Sequence, residues 1–439
     1  MSASLRAPVL FAFMAAALAV VGFYQSWSLS LAILNLCLIS SIMALGVNVQ
    51  WGYAGLFNVG TMGFAAIGGV AAVLVSAAPV GEAWSAGGWG LFLALLAVIA
   101  TIVVIVVIRA KMPKGRARGF AVAAAILFGY TLARWAFDPA VDAIEAIDPA
   151  LSGFLGGLGL PITVSWAVGG LMAAGVAWVI GKIALGLRSD YLAIATLGIS
   201  EIIVFIAKNE DWMTRGVKNV TGLPRPVAYE VDLQQAPWFL ERVAAWGLDP
   251  VEASSIYVKL SYALLFAAVL LALLWLSEKA LNSPWGRMMR SIRDNEAAAE
   301  AMGKDVTARR LQTFILGSAI CGIAGAMLTT LDGQFTPGTY NPLRFTFLIW
   351  VMVIVGGSGN NWGSVLGGFL IWFVWIQAEP AGRWMMDVMT MGFGEENPFR
   401  LHMIESAAYM RFILMGLILL VALRFAPKGL IPERTKLGA

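Results

Sequence analysis

Residues 89 to 108 read WGLFLALLAVIATIVVIVVI, twenty residues without a charge. A helix of that length rises roughly 30 Å at 1.5 Å per residue, which is the thickness of the hydrocarbon core of a bilayer. The same ruler finds further spans at residues 7–24, 30–50, 54–77, 119–136, 162–183, 190–207, 256–276, 310–331, 345–357, 363–378 and 407–425, twelve in all, of which the tenth and eleventh are short. Composition agrees: 59% of the 439 residues are apolar and only 13% charged, whereas a soluble domain carries about a quarter charged residues. The expected fold is therefore an all-α polytopic membrane protein, a single transmembrane unit over residues 1–439, with its N- and C-termini cytoplasmic. That composition excludes an ordinary soluble enzyme, a disordered chain and a nucleic-acid binder, and the net charge of +4 is divided among clusters between apolar runs, which speaks further against nucleic acid.

The loops orient the spans. Arg109, Lys111, Lys114, Arg116 and Arg118 form a basic run, while the next loop holds Asp138, Asp142, Glu145 and Asp148 without Lys or Arg; basic loops stay on the cytoplasmic side. Lys182 and Arg188 then fall inside, residues 208–255 form a long periplasmic loop, and the 278–310 loop with seven basic residues falls inside again. The tail with Arg424, Lys428, Arg434 and Lys436 is also inside. An alternative is that residues 1–24 form a signal peptide, since Arg6 precedes an apolar stretch followed by small residues; that leaves eleven spans.

Small residues mark close helix packing. Gly317, Cys321 and Gly325, and beside them Ser318, Gly322 and Ala326, recur every four residues, as do Gly359, Gly363 and Gly367, a spacing that lets helix backbones approach. These strips are either static contacts or surfaces that slide. Cys37 and Cys321 lie in apolar runs and read as small packing residues. Tryptophans such as Trp84, Trp89, Trp135, Trp166 and Trp238 lie near span ends, where their amphipathic rings anchor at the interface.

The most informative polar stretch is SPWGRMMRSIRDNEAAAEAMGKDVTARR, residues 283–310; twelve charges fall between Glu278 and Arg310. At roughly 2.5–3.5 kcal/mol per charge they cannot enter the bilayer. Ser283 suits an N-cap, Pro284 a first helical position and Gly303 a C-terminal cap. Arg290 with Asp294, and Glu300 with Lys304, place opposite charges four apart. One or two short helices on the inner surface are expected, either docking a partner or lying on the lipid surface. No GxxxxGK[ST] run is present to cradle ATP phosphates, so energy for any transport comes from a partner or an ion gradient.

Two features inside the spans are polar. Asn48, Gln50, Gly52, Gly55, Asn58 and Gly60 interrupt an apolar stretch, and a broken or re-entrant helix is tolerated at depth only where its freed backbone is buried in protein or lines a cavity. A kinked, packed helix is the plainer alternative. Glu201 falls within the 190–207 span and should face protein or water rather than lipid, either beside a pathway or in a structural role. His402 is the only histidine, so a histidine metal cluster is excluded.

The loop resembles that of LivM-type permease subunits of branched-chain amino acid ABC importers, with a pattern like SPxGRxxxAIRxNExAAxxxG matched here by Ser283, Pro284, Gly286, Arg287, Ile292, Arg293, Asn295, Glu296, Ala298, Ala299 and Gly303. LRSDYLAIATLGISEI at 187–202 is similar to LRGxYxAIxTLxxxEI, and TRGVKNVTGLPRP at 214–226 to TGGxxGIxxIPxP. VMVIVGGSGNNWGSVLGG looks like VVLGGxGSxxGPxxGA, and RFAPKGLIPE like RPxGLLP. The motifs occur in the family's order and the resemblance covers most of residues 30–77 and 180–435.

It departs in places. Residues 85–160 look like an extra two-helix insertion; the Ser and His of GYAGQLSLGHAAF are absent from the stretch beginning at Gly52; and Arg215 and Gly216 stand where two glycines are common. The resemblance implies no cofactor in this chain, with ATP and Mg held by two partner ATPase subunits of the LivG/LivF type. It also implies a LivH-type permease partner, a periplasmic substrate-binding protein, a small-molecule substrate and residence in the lipid of the bacterial inner membrane. Arg287, Arg290, Arg293, Asn295, Glu296 and Gly303 would form the ATPase-coupling loop, and Asn48, Gly52, Tyr53, Gly55, Asn58 and Glu201 are candidates for the substrate pathway. A urea or short-chain amide ABC permease shares these motifs; a gradient-driven secondary transporter, which should show internal repeats and membrane carboxylates, or a membrane scaffold or receptor, are alternatives of other classes.

Overall fold

The computed structural model describes residues 3–148, 153–395 and 397–433; Arg434 and Lys436 of the basic tail, and residues 149–152 of the insertion, lie outside them. The chain forms helices α1 (Ala3–Tyr24), α2 (Trp27–Val47), α3 (Thr61–Ser76), α4 (Gly81–Lys111), α5 (Arg116–Glu145), α6 (Ile162–Ala184), α7 (Ser189–Asn209), α8 (Asp211–Thr214), α9 (Glu230–Gln235) and α10 (Pro237–Ala245). They are followed by α11 (Pro250–Asn282), α12 (Pro284–Asp294), α13 (Glu296–Ala301), α14 (Val306–Asp332), α15 (Pro342–Gly356), α16 (Asn361–Met389), α17 (Pro398–Glu405) and α18 (Met410–Phe425). Local chemistry sets many of the starts. Proline occupies the first position of α10, α11, α12, α15 and α17, where a missing N–H costs nothing, and Asp249, Asn341 and Asn397 accept from backbone N–H groups at their helix starts.

Each of the twelve expected spans is a helix. Among the described residues ten are long and apolar enough to cross a bilayer, and the other two, α3 and α15, are shorter. The expectation that the eleventh span is short is corrected: α16 runs for 29 residues, and the short partner of α15 is the third span, α3. Ion pairs account for the extra length. Glu379 meets Arg383 and Arg411, and Asp387 meets Arg400, so the helix continues past its apolar stretch with its charges paired.

Helix α14 is the hub. Gly46 of α2 lies against the Gly317 carbonyl, Gly68 of α3 against that of Gly322, and Gly169 of α6 beside both Gly68 and Gly322. The small-residue strips are therefore three-sided contacts in which backbone meets backbone. Of the Gly359, Gly363 and Gly367 strip, Gly363 and Gly367 pack α16 onto α15, against the Gly356 and Met352 carbonyls, while Gly359 lies in the preceding turn beside Glu433 and Arg293. Cys37 and Cys321 are buried and unbridged. Trp166 departs from its expected anchoring role: it is buried and donates to Thr330 Oγ1 at 2.9 Å.

One arrangement occurs twice, in opposite directions. Helix α2 ends near α12, a non-helical segment follows, and the short apolar α3 leads away; α14 begins near α12, ends at the far face, and a second non-helical segment leads into the short apolar α15. Each short helix then packs on a long one, α3 on α6 and α15 on α16. The two breaks therefore sit at opposite ends of the bundle, the first beside α12 and the second beside the pair of short strands β1 (Val220–Thr221) and β2 (Gln334–Phe335). The end carrying α12 and α13 is the inner end in the orientation that the basic loops give. Ala7 and Glu433 line one cavity there, as an even number of crossings requires.

The insertion folds as a hairpin of α4 on α5, with Gly87 and Gly90 against Ala140 and Gly129 against Thr101. It meets the bundle at the outer end, where Glu145 accepts from the Trp212 N–H at 3.1 Å and Phe137 packs edge-on against Trp212. Arg215, at the expected glycine position, takes a left-handed conformation (φ 56°) beside Gly216 (φ 52°) and stacks over the Phe154 ring.

Candidate coupling site

The inner loop folds as two short helices with distinct faces. Met289 and Ile292 of α12 and Ala299 of α13 are buried in a cluster with Ala54, Leu56 and Phe314. Gly286 is required at the join, because a Cβ there would lie 2.3 Å from the Leu281 carbonyl. Asn295 caps α13 by accepting from the Ala298 N–H at 3.0 Å, and Gly303 closes it with φ 75°. The ion pairs expected at a spacing of four do not form. Arg290 instead approaches Glu433, and Glu296 binds Arg310 at 2.7 Å; pairing across elements fastens the loop where pairing within a helix would not.

The six loop residues divide by direction. Arg287, Asn295, Glu296 and Gly303 are exposed, together with Ala297, Ala298, Ala301 and Met302, which is 78% exposed. Arg290 and Arg293 turn inward. Arg293 donates to the Gly52 carbonyl and, at 3.0 Å, to Glu433. Burial works against its charge, but the Glu433 and Asp294 carboxylates outweigh burial and hold its pKa above the ordinary arginine value. Gly55 passes the Arg293 stem with φ 66°, and a Cβ there would lie 3.3 Å from Arg293 Cγ. Both the conformation and the clearance favour glycine.

Gly52 ends a π-helical turn, Asn48–Gly52, a form common at functional sites. The helix is broken there, as its polar residues suggest, and the freed groups are bound within protein. Asn48 accepts from the Gly359 N–H at 2.9 Å and donates to Asn361 at 3.1 Å; the Tyr53 hydroxyl donates to the same Asn361 oxygen, also at 3.1 Å. Asn361 in turn donates to Glu278 at 3.0 Å. Deeper in, Gln50 donates to the Phe314 carbonyl and to Ser318, while Asn58 donates to Gln50 at 2.8 Å and accepts from the Gly60 N–H. A polar cavity of about 320 Å³ bounded by Tyr53, Glu278, Arg290, Asn361 and Glu433 lies at the inner end of this network. Five of the six pathway candidates, Asn48, Gly52, Tyr53, Gly55 and Asn58, thus fall together in the break, and Glu201 lies apart on the exposed side of α7.

Asn361 and Glu433 are members of the network that the sequence reading missed. Glu433 closes the RFAPKGLIPE motif, but its partner is 140 residues away. The segment carrying it is strapped to the α15–α16 turn: Leu430 N–H donates to Val355, Ile431 N–H to Gly356, and Asn360 to the Pro432 carbonyl. Four pieces therefore meet at Arg293: the inner helices, the α2 break, the α15–α16 turn and the closing strap. Replacing Asn361 by leucine strands Asn48, Tyr53 and Glu278 without their shared partner. The expected loss is about 1–3 kcal/mol for each stranded group that remains buried, read as a lowered unfolding temperature in detergent.

A bundle of this kind, with ordered helices on one end gripping a broken span, defines a polytopic membrane permease. The chain belongs to the family described as "Branched-chain amino acid transport system / permease component", whose profile matches residues 29–423. It is similar to the probable branched-chain amino acid transport permease protein LivM of Methanocaldococcus jannaschii, 28% identical over 268 residues, covering 60% of this chain and 67% of that one. The high-affinity LivM permease protein of Escherichia coli is 28% identical over 223 residues, covering 48% and 50%; the match spans half of that relative's length. The probable LivH permease protein of M. jannaschii is 31% identical over 103 residues, covering 24% and 32%. No solved structure matches the chain.

Proposed function

We propose that the chain is the permease subunit of an ATP-driven importer of branched-chain or related amino acids in the inner membrane. In this reading separate ATPase subunits hold ATP and Mg and hydrolyse it, a second permease subunit completes the route, and a periplasmic binding protein delivers the solute. The observation that carries it is the two-faced inner loop. Its outer side offers Ala297, Ala298, Ala301 and Met302 beside Arg287, and its inner side holds the α2 break through Arg293. A force applied to the outer side reaches the broken helix through the Arg293 guanidinium and through Met289 and Ile292, which share a buried cluster with Ala54 and Leu56. The relatives named for branched-chain amino acid transport support the substrate class.

The test is co-purification with the neighbouring subunits. A vanadate-sensitive ATPase activity stimulated by leucine-loaded binding protein is expected; its absence from the wild-type complex would sink the reading. Met302→Asp places a charge on the exposed apolar side of α13. An apolar anchor of this kind contributes about 2 kcal/mol, or roughly thirtyfold in affinity, so ATPase recovery on the affinity resin should fall accordingly. The fold should survive, because Met302 is exposed.

A further inference from the structure

Helices α2, α3, α14, α15 and α16 do not close completely on one another. Toward the outer end they leave a cavity of about 190 Å³. Sites for drug-sized ligands run to roughly 300–1,000 Å³, so this one suits a solute the size of a single amino acid. Ile39, Leu328 and Ile349 give it apolar walls. Met43, Met62 and Met352 line its inner part, where unbranched thioethers adapt to side chains of different shape. Among the described residues of the lining only Asp332, at the outer end of α14, is exposed, which places its carboxylate at the mouth.

Two polar groups of the lining lack a protein partner. The Asp332 carboxylate forms no hydrogen bond or ion pair among the described residues, and Trp372, on the wall, has its Nε1 buried without an acceptor. A buried donor without an acceptor is costly, and a carboxylate beside an apolar cavity attracts a cation. One group is thus an anionic acceptor and the other a donor. A free amino acid carries both complements, an ammonium group and a carboxylate, and an aliphatic side chain matches the walls. We propose that this cavity, enclosed within the one chain, binds a single zwitterionic amino acid with an aliphatic side chain, its ammonium group donating to Asp332 and its carboxylate accepting from Trp372 Nε1. A neutral amide such as urea brings no cation for Asp332, and an acyl chain brings no partner for either group. The inference rests on the importer reading above, which supplies the amino-acid class.

The experiment uses the assembled complex in lipid nanodiscs, without a binding protein, and radiolabelled leucine as the probe. Saturable binding is expected. On the wild type, 4-methylpentanoate, which lacks the ammonium group, and isoamylamine, which lacks the carboxylate, should each displace leucine at least about tenfold less well than isoleucine does, the equivalent of one lost charge-assisted contact. Asp332→Asn should weaken leucine binding by about the same factor, with partial recovery in Asp332→Glu; the side chain is exposed, so the fold should survive. Trp372→Phe keeps a ring on the wall and removes the donor, and should also weaken binding about tenfold. Ile349→Trp fills the cavity and should abolish it. Equal displacement by 4-methylpentanoate and isoleucine would mean a pocket for any apolar chain and would overturn the proposal, as would unchanged leucine binding in Asp332→Asn. If the complex imports leucine from its loaded binding protein yet binds none without it, the site falls and the importer reading stands. If leucine binds with this selectivity but no ATPase subunit co-purifies and no uptake occurs, the importer reading falls and the site stands.

Discussion

Arg293→Ala is expected to leave the ATPase subunits bound while uptake falls at least about tenfold. The residue donates to the Gly52 carbonyl and to Glu433, and it is about a quarter exposed (23%), with Glu433 at 18%. Truncation deprives the Gly52 carbonyl of its donor and leaves Glu433 with Arg290 at 4.0 Å, at a cost of about 1–3 kcal/mol, reduced by the water that still reaches the pair. Most of the exposed side of α12 and α13 is untouched by the change, so docking should persist; the polar link from that surface to the α2 break disappears, and only the packing of Met289 and Ile292 with Ala54 and Leu56 is left. Hydrolysis stimulated by the loaded binding protein should therefore continue, or become independent of it, without net uptake in proteoliposomes. Arg293→Lys is expected to rescue poorly, because an ammonium lacks the planar fork that bridges two acceptors. Normal ratios of uptake to hydrolysis in Arg293→Ala would count against this grip.

Gly325→Leu should abolish recovery of folded protein. The position faces Ala65 of α3 so closely that even a Cβ would lie 1.9 Å from the Ala65 carbonyl. The obstruction is backbone, so no rotamer change relieves it, and α3 must be displaced from the hub. Overpacking of an ordinary core costs about 1–3 kcal/mol; here a helix has to move, and the loss should exceed that range. Gly175→Leu, on α6 with open space around it, is the control and should elute as a single folded species. A well-behaved Gly325→Leu protein would mean that α3 and α14 are not in contact in the native state.

Much of the architecture could be read from apolar runs, because each span must satisfy its own backbone and cover roughly 30 Å. The inner helices were equally legible, since Pro284, Asn295 and Gly303 act on their immediate neighbours. What escaped depends on residues distant in the chain. The length of α16 follows from Arg400 and Arg411 reaching back to Asp387 and Glu379. The role of Asn361 depends on Asn48, 313 residues away, and that of Glu433 on Arg293. The direction of Glu201 follows from the face of α7 that Gly60 and Gly63 occupy, which periodicity alone left open.

The second break, between α14 and α15, is held from the opposite end. Strand β1 (Val220–Thr221) of the long outer loop pairs antiparallel with β2 (Gln334–Phe335), and Tyr340 is pinned by Thr329 and the Gly325 carbonyl. Each interruption is thus held by the large loop on its own side of the membrane, the inner one by a guanidinium and the outer one by a strip of backbone pairing. A protein pressing on the outer loop and one pressing on the inner loop would turn two separate keys in one lock. Both interrupted segments lead into short helices packed beside α7, so the two keys would meet on one helix.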